Sequence, residues 1–380
     1  MLAHPQTDPL WIDTPDKLNK MTSAIVSEPL LAIDTESNSL FAYREQVCLL
    51  QVSTSCADYL VDTLALHDLS PLAPLFADAQ KQKIFHAAEY DILCLKRDYK
   101  FTINNLFDTM IAARILAEPQ VGLGNLLSSY FGIQLEKKYQ RANWGKRPLP
   151  YTMLDYARMD THYLFALKSL LEEKLKESSL WELALEDFAL VSRVTPAAPE
   201  QNGNSCWKVS GANRLTSREN AVLQALCGYR DQQAQYLNLP HFKVLSNQLL
   251  VDLSRAAPHT PEELKAVPGM SETLFKRHGN GLLRAINEGE HAKPPARLTR
   301  QRPEKAVLDR LQVLHEWRKT QAAALKIESD VVLPRIFMER IASSNPHSLP
   351  ELKNIMAEIP WRYRQYGKSI IKLINKPGGT

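Results

Sequence analysis

Thiol chemistry has little to work with in this chain. Its five cysteines, Cys48, Cys56, Cys94, Cys206 and Cys227, form no Cys-x-x-Cys pair and are scattered over 380 residues. This argues against a zinc ribbon and against a disulfide framework, and predicts reduced thiols in a cytoplasmic protein. No apolar run approaches the ~20 residues needed to span a bilayer, so no membrane partner is expected. The opening stretch MLAHPQTDPLWIDTPDKL lacks the basic and apolar regions of a signal peptide. No Gly-x-x-x-x-Gly-Lys-[Ser/Thr] occurs either, which excludes an ATP-driven motor built on a phosphate loop.

What is present suits two or three soluble domains, each long enough to bury its own core. The net charge of +4 is unevenly spread: residues 1–202 carry −7, residues 203–290 carry +2 and residues 291–380 carry +9. A basic end suits a polyanionic partner.

The first part opens with three strand-like runs, LLAIDTE, VCLLQVST and ADYLVDT. HDLSPLAPLFAD then reads as helix, QKIFHA as strand and AEYDILCLKRDY as helix, with Tyr90, Leu93 and Cys94 suggesting its apolar face. TMIAARILAE, LGNLLSSYFG and a long helix from about Thr152 to Glu177 follow. This order predicts a mixed sheet flanked by helices. VTPAAPEQNGNS (194–205) and HAKPPARLTRQRP (291–303) read as linkers, and the sequence beyond residue 205 is helical in pattern. Around the second linker the chain repeats itself at an offset of 88 residues. Leu223, Leu226, Arg230 and Ala234 recur as Leu311, Leu314, Arg318 and Ala322; Leu245 recurs as Leu333, Pro258-His259 as Pro346-His347, Glu263-Leu264 as Glu351-Leu352, Gly279 as Gly367 and Ile286 as Ile374. Two copies indicate a duplicated domain rather than a solenoid.

Acidic residues carry the chemistry. Asp34 and Glu36 end an apolar strand one residue apart, so their side chains share a face and repel one another. Asp91 lies near a helix start, and Tyr156 and Asp160 are i and i+4 on one helical face. Asp108 reads as a helix N-cap. The set Asp34-x-Glu36, Asp91, Tyr156-x-x-x-Asp160 resembles the DEDD 3′→5′ exonucleases that carry a tyrosine in the third motif, and within them the ribonuclease D family. DTE, HAAEYD and YARMD stand at its three exonuclease motifs. NWGKRPLP resembles the family's Asp-Trp-x-x-Arg-Pro-Leu run, with Asn143 in place of the aspartate. These motifs cover residues ~10–175, and both helical repeats resemble HRDC domains, the module shared with RecQ helicases.

The resemblance implies an α/β ribonuclease H-like exonuclease domain over residues 1–195, a linker at 196–209, an all-α HRDC domain at 210–290, a basic linker at 291–303 and a second HRDC-like domain at 304–380. It implies two divalent cations, Mg²⁺ or Mn²⁺, with Asp34 bridging both, Glu36 and Asp160 completing one site and Asp91 the other, while Tyr156 orients water. Hard ions take oxygen ligands, which fits carboxylates and the lack of a Cys/His cluster. Thr35, His86, Trp144, Lys146 and Arg147 are the expected substrate contacts, the last three from a basic run (137–148) interleaved with Tyr139 and Trp144. The implied activity is 3′→5′ exoribonucleolytic release of 5′-mononucleotides by a monomer, acting on tRNA precursors with 3′ extensions and other small structured RNAs. A DNA-directed exonuclease of the same superfamily and a non-catalytic nucleic-acid-binding protein remain alternatives, and the helical repeats either grip RNA or act as scaffold.

Overall fold

The computed structural model describes residue 5, residues 7–197, residue 206, and residues 209–294 and 303–375. The two linkers therefore lie largely outside the described residues. The chain falls into two compact units, one made of Met1–Ser37, Val47–Pro196 and Arg302–Thr380, the other of Asn38–Gln46 and Ala197–Gln301.

The first unit is built on a six-stranded sheet in the order β1-β4-β3-β2-β5-β6, with β1 Leu10–Ile12, β2 Leu30–Ser37, β3 Val47–Ser53, β4 Asp58–Val61, β5 Gln82–Phe85 and β6 Leu106–Asp108. It is mixed as expected: β3 runs antiparallel to both β2 and β4, and the other pairs are parallel. Leu31, Ala32 and Ile33 are fully buried, so burial of the apolar half of β2 fixes the register that places its acidic half. Helices α1 (Pro15–Ile25), α2 (Ala73–Ala77), α3 (Glu89–Tyr99), α4 (Thr109–Ile115), α5 (Leu123–Phe131), α6 (Tyr151–His162), α7 (Leu164–Glu177) and α8 (Trp181–Ser192) accompany it.

Three local expectations need correction. The helix expected over 152–177 is two helices that part at Tyr163. The end of α6 is tied to the sheet, where Thr161 bonds Ser53 at 2.7 Å and His162 bonds Asp58 at 2.9 Å. The leucines of α7 at 164, 167, 171 and 175 turn into the main core instead. Apolar spacing continues across the break, so periodicity does not reveal it. HDLSPLAPLFAD yields only a 3₁₀ turn, Ser70–Leu72, and the short α2, because Pro71 and Pro74 supply no backbone donors. The buried face of α3 is Asp91, Ile92, Cys94 and Leu95, whereas Tyr90 is exposed and meets Ser37 Oγ at 2.9 Å.

Both repeats are five-helix modules: α9 (Ser217–Leu237), α10 (His241–Val244), α11 (Asn247–Ala256), α12 (Pro261–Ala266) and α13 (Glu272–His291) in the second unit, and α14 (Lys305–Leu325), α15 (Ser329–Val332), α16 (Arg335–Ser344), α17 (Leu349–Ile355) and α18 (Pro360–Ile374) in the first. The repeated residues make repeated bonds. Arg230 donates to the carbonyl of Leu245 at 3.2 Å, and Arg318 to that of Leu333 at 3.0 Å. Glu263 accepts from the His259 amide at 2.7 Å, and Glu351 from the His347 amide at 2.9 Å. At Gly279 an added Cβ would stand 3.2 Å from the Phe275 ring, and at Gly367 the same distance from Tyr363.

The second copy packs against α8 within the first unit. Arg362, fully buried, donates to Glu186 at 3.1 Å, to Asp187 at 2.9 Å and to the Val331 carbonyl at 2.8 Å. The position 88 residues earlier is Leu274, so this arginine departs from the repeat where α18 meets α8. Arg362→Met leaves two carboxylates buried without their partner and is expected to destabilise the first unit by about 3–5 kcal/mol in urea unfolding.

Candidate active site

Three elements converge on one end of the sheet. β2 carries Asp34 and Glu36 on one face, opposite Gln51 and Leu49 of β3. β5 pairs with β2 only over Leu30–Ala32, so the acidic residues project past that partner, and the β2–β3 ladder becomes irregular directly after Glu36. α6 brings Tyr156 and Asp160 over this face. Ligating oxygens of Asp34, Glu36 and Asp160 lie within 4.8 Å of one another.

Asp91 stands beside this trio, in the first turn of α3 and almost fully buried. Thr35 holds it, donating to Asp91 Oδ1 from its amide at 3.1 Å and from its hydroxyl. The helix itself is aimed by Asp108. That carboxylate caps α4, as the sequence indicates, by accepting from Met110 at 2.8 Å and Ile111 at 3.1 Å. It also accepts from the amides of Ala87 at 3.1 Å and Ala88 at 2.7 Å, where Ala87 takes a left-handed φ of 63° just before α3. This second role carried no local signal, because it joins residues twenty positions apart.

Burial and like charge raise all four carboxyl pKa values. Glu36 is pushed up to about 10 by burial and by Asp34, Asp160 and Asp91, and Asp160 to about 7 by burial and Asp91. Asp34, buried beside Asp160, and Asp91, buried beside Asp34, are both held well above the usual carboxylate range. Tyr156 is raised too, by burial first and then by Asp160, Glu36 and Asp34. Among the described residues none of the four carboxylates has a lysine or arginine ion-pair partner. Half-buried acids without a cationic side chain, with oxygens this close, fit a hard divalent ion as the missing counter-charge.

The site opens into a cavity of about 360 Å³ lined by Asp34, His86, Tyr156, Asp160, Lys137 and the start of α5 at Gly122–Asn125. The α5 start was not singled out from the sequence; its Gly-Leu-Gly-Asn run, 122–125, was the available signal. A second cavity of about 320 Å³ shares Tyr156 and Asp160 and is lined also by Ile133, Met159 and Tyr163.

The expected substrate contacts fare unevenly. Lys146 is exposed. Trp144 is not available for base stacking, since it is 1% exposed and packs near Tyr156, ring centroids 6.2 Å apart. Tyr139 meets Tyr156 edge-on at 5.6 Å, so the basic run's aromatics hold the phenol rather than a base. Arg147 is also committed: it grips Asp62 at 2.6 and 2.8 Å and donates to the carbonyls of Cys48, Trp144 and Lys146. Asn143 accepts from the Gly145 amide at 3.1 Å and closes the turn in this run. The Thr35 hydroxyl is used on Asp91. His86 is held neutral at pH 7, its pKa lowered to about 4 by burial. Its Nδ1 meets the Thr109 hydroxyl at 2.9 Å, and that hydroxyl donates to the Phe85 carbonyl at 3.1 Å. Nδ1 is thus spent on Thr109 inside the protein, which leaves Nε2 as the ring nitrogen a ligand could reach.

A carboxyl whose pKa is higher in the fold than in the unfolded chain stabilises the fold while protonated. That stabilisation is complete below an unfolded value of about 4 and is lost as pH rises through about 7 for Asp160 and about 10 for Glu36. Metal-free protein is expected to melt at a lower temperature near pH 8 than near pH 6, and a divalent cation to remove most of the difference. Thermal melts in chelator and in Mn²⁺ check this.

Comparison with known proteins agrees with the geometry. Residues 9–176 match the 3′-5′ exonuclease family, and residues 219–286 and 307–374 each match the HRDC domain, with an offset of 88 between the two copies. The chain is 30% identical over 313 residues to ribonuclease D of Desulfotalea psychrophila, covering 80% of this chain and 83% of that protein. It is 32% identical over 279 residues to RRP6-like protein 3 of Arabidopsis thaliana, covering 67% of this chain but only 31% of that longer protein. The crystal structure of Escherichia coli RNase D shares the fold, with a TM-score of 0.71 at 22% identity over 97% of this chain and 99% of that one. Among the described residues no helix is long and apolar enough to cross a membrane. With the exonuclease match, the paired HRDC matches and a ribonuclease D relative aligned over most of both lengths, the chain belongs to the ribonuclease D family of 3′-5′ exoribonucleases.

Proposed function

We propose that Asp34, Glu36, Asp91 and Asp160 hold two divalent cations, Mg²⁺ or Mn²⁺, and that with Tyr156 they remove 5′-mononucleotides from RNA 3′ ends. The observation that carries this reading is the meeting of close-set carboxylates, with no cationic side-chain partner among the described residues, and Tyr156 at one cavity. Two cations at such a site lower the pKa of the attacking water and offset charge on the transition state and leaving oxygen. Asp34 lies close to both Glu36 and Asp160 and adjoins Thr35, which fixes Asp91, so it is best placed to serve both ions. Tyr156 keeps its proton because burial and three carboxylates hold its pKa up, so its Oη donates to the water and aims it rather than acting as base. Tyr139 and Trp144 fix the direction of that phenol.

Lys137 and the backbone amides at the start of α5 suit the phosphates of an entering strand. His86 Nε2 suits a ribose hydroxyl, which can both donate and accept, and favours RNA over DNA where that hydroxyl is the 2′-OH. The natural substrates would be 3′-extended tRNA precursors and other small structured RNAs, processed by a cytoplasmic monomer. E. coli RNase D, an exoribonuclease involved in structured RNA processing, shares this fold, which supports the RNA class. The division into domains at 1–195, 210–290 and 304–380, with linkers between, belongs to the same reading.

Asp34→Asn is expected to abolish hydrolysis of 3′-extended tRNA while leaving the circular dichroism spectrum unchanged; an active variant would overturn the assignment. Tyr156→Phe should lower kcat by about 10²–10⁴-fold with little change in RNA affinity, measured by single turnover and filter binding. Matched RNA and single-stranded DNA, with Mg²⁺, Mn²⁺ or chelator, separate the two exonuclease readings: preferential shortening of DNA would favour the DNA-directed enzyme.

A further inference from the structure

The floor beneath the carboxylates contains a polar group that nothing among the described residues satisfies. Gln51 lies in β3, an inner strand of the sheet, and is fully buried. Neither its Oε1 nor its Nε2 has a hydrogen-bond partner among the described residues. A buried amide left in that state costs about 1–3 kcal/mol per unsatisfied group, and leucine or valine would fill a central strand without that cost.

Its position accounts for it. Gln51 is directly opposite Asp34 in the β2–β3 ladder and opposite Leu60 in the β3–β4 ladder, and directly opposed side chains share a face of the sheet. The neighbours along its own strand on that face are Leu49 and Ser53. Leu49 and Leu60 belong to one packed cluster with Ala157, and Ser53 bonds Thr161 at 2.7 Å. Ala157 and Thr161 are one turn apart on α6 with Asp160 between them, so α6 covers Gln51 with the segment that carries Asp160. The amide is thus enclosed between two of the carboxylates assigned above as cation ligands.

We infer that Gln51 is a positioning residue for the cation site: its Nε2 donates to the Asp34 carboxylate and fixes the direction in which that carboxylate points. The inference rests on the metal-site reading and adds a residue that reading does not contain. A hydrogen bond from behind fixes the direction of a ligating carboxylate, and loss of such a bond typically weakens metal affinity by about 10–100-fold.

The test uses the full chain stripped of metal. Mn²⁺ affinity, followed by loss of the free-ion EPR signal, is compared for wild type, Asp34→Asn, Gln51→Leu and Gln51→Met. Metal-free melting temperature and RNA KM at saturating Mn²⁺ are measured alongside. Gln51→Leu should raise the Mn²⁺ Kd about 10–100-fold, with a metal-free melting temperature equal to or above wild type and an unchanged RNA KM. Gln51→Met, closer to glutamine in length, should do the same and serves if the leucine variant does not fold. A Kd within twofold of wild type in either folded variant overturns the inference while leaving the metal site standing. Wild type that binds no Mn²⁺, or Asp34→Asn that binds it as well as wild type, overturns the metal-site reading and this inference with it.

Discussion

The repulsion among four crowded carboxylates, three half-buried and one buried, is the constraint around which the exonuclease part of this protein is arranged. Placing Asp34, Glu36 and Asp160 with oxygens within 4.8 Å of one another costs free energy in the absence of a counter-charge, so the surrounding structure must hold them there. The apolar half of β2 does so by burial, α6 by its bonds from Thr161 and His162 to the sheet, and α3 by the Thr35 and Asp108 contacts. Apart from the Thr35 bonds to Asp91, each restraint lies outside the carboxylates themselves. The site is therefore held in place by its neighbours, which is what preorganised chemistry requires.

Much of this was legible from residue order. The alternation of a strand put Asp34 and Glu36 on one face, and i, i+4 spacing put Tyr156 beside Asp160, because both periodicities are local. The mixed sheet followed from the run of strands and helices. What was not legible depends on contacts between distant residues. Asp108 shows its cap in the sequence but not its hold on Ala87 and Ala88. Trp144 and Arg147, in a run whose composition suits RNA, are consumed by packing and by Asp62, and composition cannot tell a solvated cation from a buried clamp. The break at Tyr163 is hidden for a similar reason, since leucine spacing continues across it while the partner surface changes.

The duplicated helical module separates structure from specialisation. Residues identical in both copies make the same bond in each: the arginine on its carbonyl, the glutamate on its histidine amide, the glycine under its aromatic ring. A difference marks where one copy has acquired a separate contact, and Arg362 in place of a leucine is the clearest case. The module that belongs to the exonuclease unit thus carries a buried charge at this contact, while its internal core keeps the repeated pattern.

Asp108 has a consequence in genetic terms. One carboxylate closes the starts of two helices, so its loss would release the turn at Ala87 and misdirect Asp91 while also fraying α4. A screen for inactive variants would recover Asp108 together with the cation ligands, although its carboxylate is spent on backbone amides. Inactivity alone would class it with the reacting groups, and the four amides it accepts from show why that grouping would mislead.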